Sequence, residues 1–426
     1  MSGLNNAIVR NKIWSNDSIP FYILIIIMVL MPVYHWFLPP FIILWMLYGF
    51  SKIRSFSEGI RVMDSDHKTL TILFILFFIW QLTGMLYSDN PLEGWRNIEL
   101  RISLVIFPLL MIMPGETIRK KSGLLLKVFA ISTLTFLVLC YMYALYRSIS
   151  IVDGIFVFRP NLPEYTWLNY FFSLEFAIFQ HPSYLSVFTL LSAYISFENF
   201  FSKELPFNRR IYWLASSIIL LVSIYFLSSR AAILSTIITL PIYMFIKLNQ
   251  PGKRNIFWIV FASMVILFIL VILTNPRMNN YMDWRAEHNV AHIPASSDRK
   301  IIWESVKDIL GDNFILGVGT GDIQDELNKS YNSKGFKQLA AVNTNAHNQF
   351  LEILIENGII SLLLFLCMFF VMFYQALKKK STLYLMYLIV VFISFLFETM
   401  LNRLAGVIFF SLFSFILILN EGRYQN

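Results

Sequence analysis

Runs of roughly twenty apolar residues recur along this chain, each long enough to cross the ~30 Å hydrocarbon core of a bilayer as a helix. No water reaches the backbone in that core. A helix is the structure in which a single segment pairs its own N–H and C=O groups. Of the 426 residues, 57% are hydrophobic and only 14% charged, against about 25% charged in soluble domains. The surface this leaves uncovered is one that lipid can cover. Apolar runs near 19–35, 37–51, 69–87, 92–113, 123–147, 182–200, 211–229, 231–248, 256–274, 348–377, 382–399 and 404–420 predict about twelve transmembrane helices. The expected fold class is an all-α polytopic membrane protein, with 1–426 forming a single membrane domain. The boundary between the first two runs, at Pro39-Pro40, is soft. The run 92–113 opens amphipathically with Arg96, Glu99 and Arg101, so its first turns are read at the interface.

Lys and Arg collect on cytoplasmic loops of membrane proteins. Here Arg10 and Lys12, Lys52, Arg54, Arg61 and Lys68, Arg119 to Lys121, Lys203, Arg209 and Arg210, Lys247, Lys253 and Arg254, Lys378 to Lys380, and Arg423 all fall on one set of loops. That alternation puts both termini in the cytoplasm. It also accounts for the net charge of +8 without nucleic acid as a partner, since no basic stripe interleaves with exposed aromatics. Met1 to Asn16 is polar, and no small-residue cleavage site follows the first apolar run, which is therefore read as a span rather than a signal. Cys140 and Cys367 lie inside apolar runs and are read as packing residues, with no disulfide or zinc pattern.

The opposite loops are short and poor in basic residues, except for one long segment, 275–345. Within it Ile302, Val306, Ile309 and Leu310 recur at helical spacing after the capping candidates Ser296, Ser297 and Asp298, and Ile323, Leu327 and Tyr331 follow Asp322 in the same way. These predict amphipathic helices lying over the outer membrane face and roofing a cavity.

Few polar residues on that side suit chemistry. Arg230 is the single charge between two apolar runs, at the outer end of a tight helical hairpin. It either snorkels to headgroups or binds an anion, since the guanidinium fork matches phosphate oxygens. Arg299 opens an amphipathic helix, where the helix dipole disfavours a cation. It is either a solvated charge beside Asp298 or a ligand for an anionic partner. His347 is placed in the first turn of a span capped by Asn345. It is either a structural hydrogen-bonding group or a proton acceptor near neutral pH. His181, followed by the helix-starting Pro182, is either a cap or a second imidazole at the outer interface. His288 and His292 have an i,i+4 spacing that could hold a metal, but no Cys joins them and no metal is predicted. Gly317-Val318-Gly319-Thr320-Gly321 lacks the strand and the Lys-Ser/Thr of a nucleotide loop and reads as a tight turn between amphipathic helices. Glu398 and Arg403 flank the last outward turn and are read as an ion pair across it.

The order of these pieces resembles the O-antigen ligase and O-antigen polymerase family. Arg230-x-x-x-Leu234, Arg299-x-x-x-Trp303, Gly317-Val318-Gly319-x-Gly321, Asn345-Ala346-His347-Asn348-x-x-Leu351 and Glu356-Asn357-Gly358 occur in sequence. His181-Pro182-Ser183-Tyr184 and Glu398-x-x-x-Asn402-Arg403-x-x-Gly406 look like the forms seen in Bacteroidota. The resemblance covers roughly 170–415. It implies a C-type glycosyltransferase fold in the bacterial inner membrane, with 275–345 periplasmic. It also implies a glycan donor on undecaprenyl pyrophosphate and an acceptor that is lipid A-core, a glycan or a protein. Carried over, Arg230 and Arg299 would bind pyrophosphate and His347 would be the catalytic base, with His181, Asn348 and Arg403 as accessory residues and no cofactor. Ligase and polymerase are not separated by the sequence. The alternative from another class is a transporter or flippase for lipid-linked oligosaccharide, although no internal repeat supports it.

The Lys/Arg asymmetry carries its own test. Membrane-impermeant thiol labelling from outside should mark cysteine at position 334 and spare it at position 379, in a chain otherwise free of cysteine; the reverse pattern would overturn the topology.

Overall fold

The structure is a computed structural model and describes residues 19–51, 65–112, 116–162, 168–249, 252, 254–275 and 297–419. Helices occupy each of the expected apolar runs. We number them α1 Ile19–Val33, α2 Leu38–Ser51, α3 Ser65–Thr83, α4 Pro91–Arg101, α5 Ser103–Ile112, α6 Glu116–Ser148, α7 Pro182–Phe201, α8 Phe207–Leu227, α9 Arg230–Leu248, α10 Arg254–Thr274, α11 Ser297–Asn313, α12 Ile323–Ser333, α13 Gln349–Lys378, α14 Thr382–Phe397 and α15 Leu404–Leu419. Among the described residues six helical stretches are long and apolar enough to cross a membrane: Ser65–Leu86, Ile118–Ser148, Phe207–Leu227, Arg230–Leu248, Arg254–Thr274 and Gln349–Lys378. Ile19–Val33, Thr382–Phe397 and Leu404–Leu419 are apolar but shorter. The chain is thus a mostly helical, multi-pass membrane protein.

Two expectations change. The run 92–113 is two helices, α4 and α5, that meet at Ile102. Asn90 caps α4 by accepting from Glu93 N at 3.3 Å, and Pro91 supplies its first residue. The protein is also not purely helical. α6 runs into a two-stranded antiparallel hairpin, β1 Ile149–Val152 and β2 Ile155–Phe158, turned at Asp153-Gly154. Asp153 and Gly154 both have positive φ, the geometry of a tight two-residue hairpin turn.

Hydrophobicity does not tell core from periphery here. α15 is buried on nearly every residue, and so is α7, which carries Ser183, Ser186, Thr189, Ser192 and Ser196 along its length. Small hydroxyl residues let helices approach closely, and Ser186, Thr189 and Ser196 bond back to carbonyls one turn earlier. α10 is the most apolar of the six long helices, yet only Phe257 and Met264 are buried, so its sides face lipid. Cys140 is buried as expected, but Cys367 is exposed on the outer side of α13.

α13 is broken. Asn357 and Gly358 leave helical geometry, with Gly358 at φ 72° and ψ −172°. Breaking a helix in lipid frees backbone groups that must find partners. The loop after α11 supplies them. Val318 N donates to Ile355 O at 2.8 Å, Gly319 N donates to Glu356 O at 2.9 Å, and Ile359 N donates to Phe314 O at 3.0 Å. From α3 the Trp80 indole N–H donates to Asn357 O at 2.9 Å. This is the function of the glycine-rich stretch. A Cβ on Gly317 would overlap the Glu356 backbone, and one on Gly358 would overlap Ile315 O. The stretch still turns between two amphipathic helices, and it docks into the break as it does so.

The segment 297–345 folds over one end of the bundle. Ile302, Val306 and Ile309 of α11 pack with Ile323, Leu327 and Tyr331 of α12 and with Ile355 of α13, forming a small separate core. The helical spacing of those residues in the sequence is the cause. His288, His292, Ser296 and the stretch 276–296 lie outside the described residues, as do the side chains of Ser297 and Asp298.

Gly358→Ala should therefore cost more than Gly335→Ala. Both glycines have positive φ, which costs a side chain about 1–3 kcal/mol, but at Gly335 nothing lies within 4 Å of an added Cβ. Thermal unfolding in detergent should place Gly358→Ala below Gly335→Ala, and equal midpoints would show that the docked loop does not brace the break.

Candidate active site

Three segments far apart in the chain meet at the end of the bundle covered by α11. The first is the α8–α9 hairpin. Ser228 ends α8 in the left-handed region, at φ 52°. The Ser229 hydroxyl accepts from Ala232 N at 3.4 Å as the N-cap of α9. Asn275, at the end of α10, donates to Tyr225 O and Ser228 Oγ, both at 3.1 Å, and so ties the hairpin down. Arg230 is consequently the first residue of α9 and is half-buried. A helix N-terminus already carries positive potential, so a cation there concentrates it and favours an anion.

The second segment is the start of α11. Arg299 is half-buried, with its guanidinium carbon 5.1 Å from the centre of the Phe397 ring. Burial pushes its pKa down. The positive charge of Arg230 adds to that shift and Glu398 opposes it. An anion bound near both arginines would oppose that shift.

The third is the loop before α13. Asn345 is not the cap of this helix. Its side chain accepts from His347 N at 3.0 Å, making a local turn. The cap is Asn348, whose side chain accepts from Phe350 N at 2.9 Å and Leu351 N at 3.1 Å. Asn348, expected as an accessory site residue, is occupied as a cap. His347 therefore precedes the helix, with φ 46°. A non-glycine residue in that region is held by its surroundings, a feature that clusters at functional sites.

Glu398 lies where these pieces meet. The structure places no Glu398–Arg403 ion pair within 4.0 Å, which corrects the sequence expectation. The Glu398 carboxylate instead accepts from the Ser183 hydroxyl at 2.9 Å, and its other oxygen lies 4.0 Å from His347 Nδ1. The turn explains the difference. Glu398 leaves α14 in extended conformation and faces inward, while Arg403 is exposed beyond a short helical turn, Met400–Asn402. Arg403 acts electrostatically on Tyr184 and His35. His181 caps α7, its Nδ1 accepting from Ser183 N at 3.4 Å, with its ring 6.0 Å from that of Tyr184. Arg299 and His347 are thus near Glu398, the charge of Arg230 reaches Arg299, and His181 and Arg403 lie on the Tyr184 side.

Beneath this group runs a buried polar network that sequence reasoning missed. Arg101, at the end of α4, donates to Glu356 Oε1 at 2.5 Å, to Asn402 Oδ1 at 2.8 Å and to Leu401 O at 3.4 Å. Asn402 Nδ2 donates to Glu352 Oε1 at 2.6 Å, and Glu352 Oε2 accepts from Ala346 N at 3.0 Å. Gln349 Oε1 accepts from Leu401 N at 2.7 Å. Arg101 is 2% exposed and Glu356 0%. Removing one member of such a buried pair costs about 3–5 kcal/mol, because the other charge is left uncompensated. The signal available in the sequence was two carboxylates, Glu352 and Glu356, one turn apart within a membrane run; ionisable residues there are functional candidates by default.

Residues 215–366 match the family described as O-antigen ligase. The resemblance seen in the sequence holds over that stretch, which contains Arg230, Arg299 and His347, while Glu398 and Arg403 lie beyond it. No curated protein matches the chain.

His347 has its pKa lowered from the usual 6.5, first by burial, with Arg299 adding to the shift and Glu398 opposing it. That shift favours the neutral imidazole, the form able to accept a proton. Any activity that needs the neutral ring should fall only as pH drops below 6.5. Glu398→Gln removes the opposing charge and should move that acid limb to lower pH, whereas Arg299→Gln should move it up. A pH–rate profile checks both signs, and shifts in the same direction would contradict the arrangement.

Proposed function

We propose that this chain, whose central stretch matches the O-antigen ligase family, transfers a glycan from undecaprenyl pyrophosphate to an acceptor hydroxyl at the periplasmic face of the inner membrane. The match supports a membrane glycosyltransferase role in surface polysaccharide biosynthesis. The observation that supports the finer reading is that His347 lies 4.0 Å from Glu398, whose charge also acts on Arg299, as that of Arg230 does. The reacting face is the end of the bundle that bears them. The basic residues Arg119 to Lys121, Lys247 and Lys378 lie toward the other end, which this reading assigns to the cytoplasm along with both termini.

In this mechanism the pyrophosphate sits between Arg230 and Arg299. Glycan transfer forms a bond from the acceptor oxygen to the anomeric carbon and breaks the bond from that carbon to the phosphate oxygen. The bonding pair leaves with the pyrophosphate, whose growing charge the two guanidinium groups stabilise. His347 takes the proton from the acceptor hydroxyl, which is a poor nucleophile until that proton moves. Glu398 steadies the imidazolium that results. A single displacement inverts the anomeric centre. The route uses no metal, because the leaving-group charge is met by arginine. The acceptor is lipid A-core, another glycan or a protein.

A transporter for lipid-linked oligosaccharide is the second reading, and the break in α13 is a feature transporters share. In transporters the freed carbonyls of such a break coordinate an ion. Here those of Ile355, Glu356 and Asn357 already accept from Val318, Gly319 and Trp80. The break is braced, which favours the enzyme.

Purified protein in liposomes, supplied with a lipid-linked glycan and candidate acceptors, tests the proposal. His347→Ala should lower turnover by about 10²–10⁴-fold with donor affinity retained. Arg230→Ala should weaken donor binding as well, and Arg230→Lys should not restore it, since an ammonium cannot form the paired fork. A chelator should leave the rate unchanged. Wild-type turnover in His347→Ala would remove the base, and chelator sensitivity would return attention to His288 and His292.

A further inference from the structure

Resting on the assignment of His347 as base, we propose that Glu352 is a positioning residue that holds His347 against Glu398. The two belong to segments that nothing in the chain order brings together: His347 precedes α13, and Glu398 follows α14. Their separation of 4.0 Å is too long for a hydrogen bond of their own, so their register is set elsewhere. Among the described residues, Glu352 reaches both segments. One carboxylate oxygen accepts from Ala346 N at 3.0 Å, the residue immediately before His347. The other accepts from Asn402 Nδ2 at 2.6 Å, within the turn that follows Glu398.

The anchor itself is fixed. Glu352 is 1% exposed, on the first turn of α13. The turn it grips is held from two further sides. Gln349 Oε1 accepts from Leu401 N, and Arg101 donates to both Leu401 O and Asn402 Oδ1. Both backbone groups of Leu401 and both polar atoms of Asn402 are therefore committed to buried side chains from α4 and α13. In a low-dielectric interior such bonds are strong and specific in direction, because no water competes for them. A carboxylate is the right group for this clamp. It accepts at both oxygens, and both of its partners are donors. Glutamine is not equivalent, since its amide turns one acceptor into a donor facing a donor.

That mismatch supplies the test. Glu352→Gln sets an N–H₂ group against the Asn402 amide. Adding Asn402→Asp reverses the polarity of the partner, so the glutamine donates to the new carboxylate, its carbonyl still accepts from Ala346 N, and Arg101 keeps its acceptor. Full-length protein in liposomes would be assayed for glycan transfer, with inorganic pyrophosphate as the binding probe for the arginine site. Glu352→Gln should lower turnover by about 10²-fold, the usual effect of misplacing a catalytic group by about 1 Å. Pyrophosphate affinity should stay within about twofold of wild type, because the clamp does not touch Arg230 or Arg299. The double variant should recover turnover by about tenfold or more over Glu352→Gln, as coupled partners do. Wild-type turnover in Glu352→Gln, or no recovery in the double variant, would overturn the proposal. Should Glu352→Gln not insert, Asn402→Ala decides: it cuts the same link from the partly exposed side, and wild-type turnover there would overturn the clamp. Turnover retained by His347→Ala would instead defeat the base assignment, so the two failures are told apart.

Discussion

The break in α13 at Asn357–Gly358 is the constraint on which the rest of the structure turns. A helix interrupted inside a bilayer leaves donors and acceptors that water cannot reach, and each must be paired within the protein. The glycine-rich loop after α11 does this by running backbone against backbone, with Trp80 completing the set. Only residues without a Cβ allow so close an approach, hence Gly317 and Gly358. The same docking determines where α11 and α12 lie. Once the loop is seated, α11 is carried across the end of the bundle, and Arg299 is delivered to Phe397 and Glu398.

A second consequence is electrostatic. The break turns the first two turns of α13 into a short, separately oriented helix that bears Gln349, Glu352 and Glu356 on the side facing α4 and the 398–404 turn. Those carboxylates are tolerated because Arg101, Asn402 and the Ala346 amide meet them directly. Buried charge of this kind adds little net stability compared with apolar packing. What it adds is direction, and direction is what a site assembled from three loops lacks. Above the network the charges are arranged otherwise. The charge of Arg230 reaches Arg299, which lies near one carboxylate and near an imidazole whose pKa is lowered. Positive charge concentrated at a helix start in this way favours an anion.

Much of this was legible in the sequence, and for identifiable reasons. The apolar runs mark the helices because lipid demands them. Arg230 stands out as the single charge between two apolar runs, Arg299 as a cation at a helix start, and His347 as an imidazole beside the start of a span. The spacing of Ile302, Val306 and Ile309 announces a helix with one buried face. Other features were not legible. Asn345 and Asn348 are both good caps, and only the backbone shows which one caps α13. Glu398 and Arg403 are close in sequence and opposite in charge, so a pair between them was the natural expectation. The turn points them apart. The run 123–147 ends where the helix does, but the apolar residues of 149–158 do not by hydrophobicity alone announce a β-hairpin.

What the sequence by itself determined is the membrane character, the approximate positions of the helices and the identity of the polar residues set near one face. These follow from transfer energies and from short-range periodicity, which act on neighbours in the chain. What only the tertiary structure decided is which of those residues meet, which helices are central and which face lipid, and what holds the site in register. Lipid and protein interior are equally apolar, so hydrophobicity cannot rank α10 below α15. Hydrogen bonds that join Arg101 to Glu356 or Glu352 to Asn402 link residues far apart in the chain. No local pattern encodes such a partner, because the partner is chosen by packing.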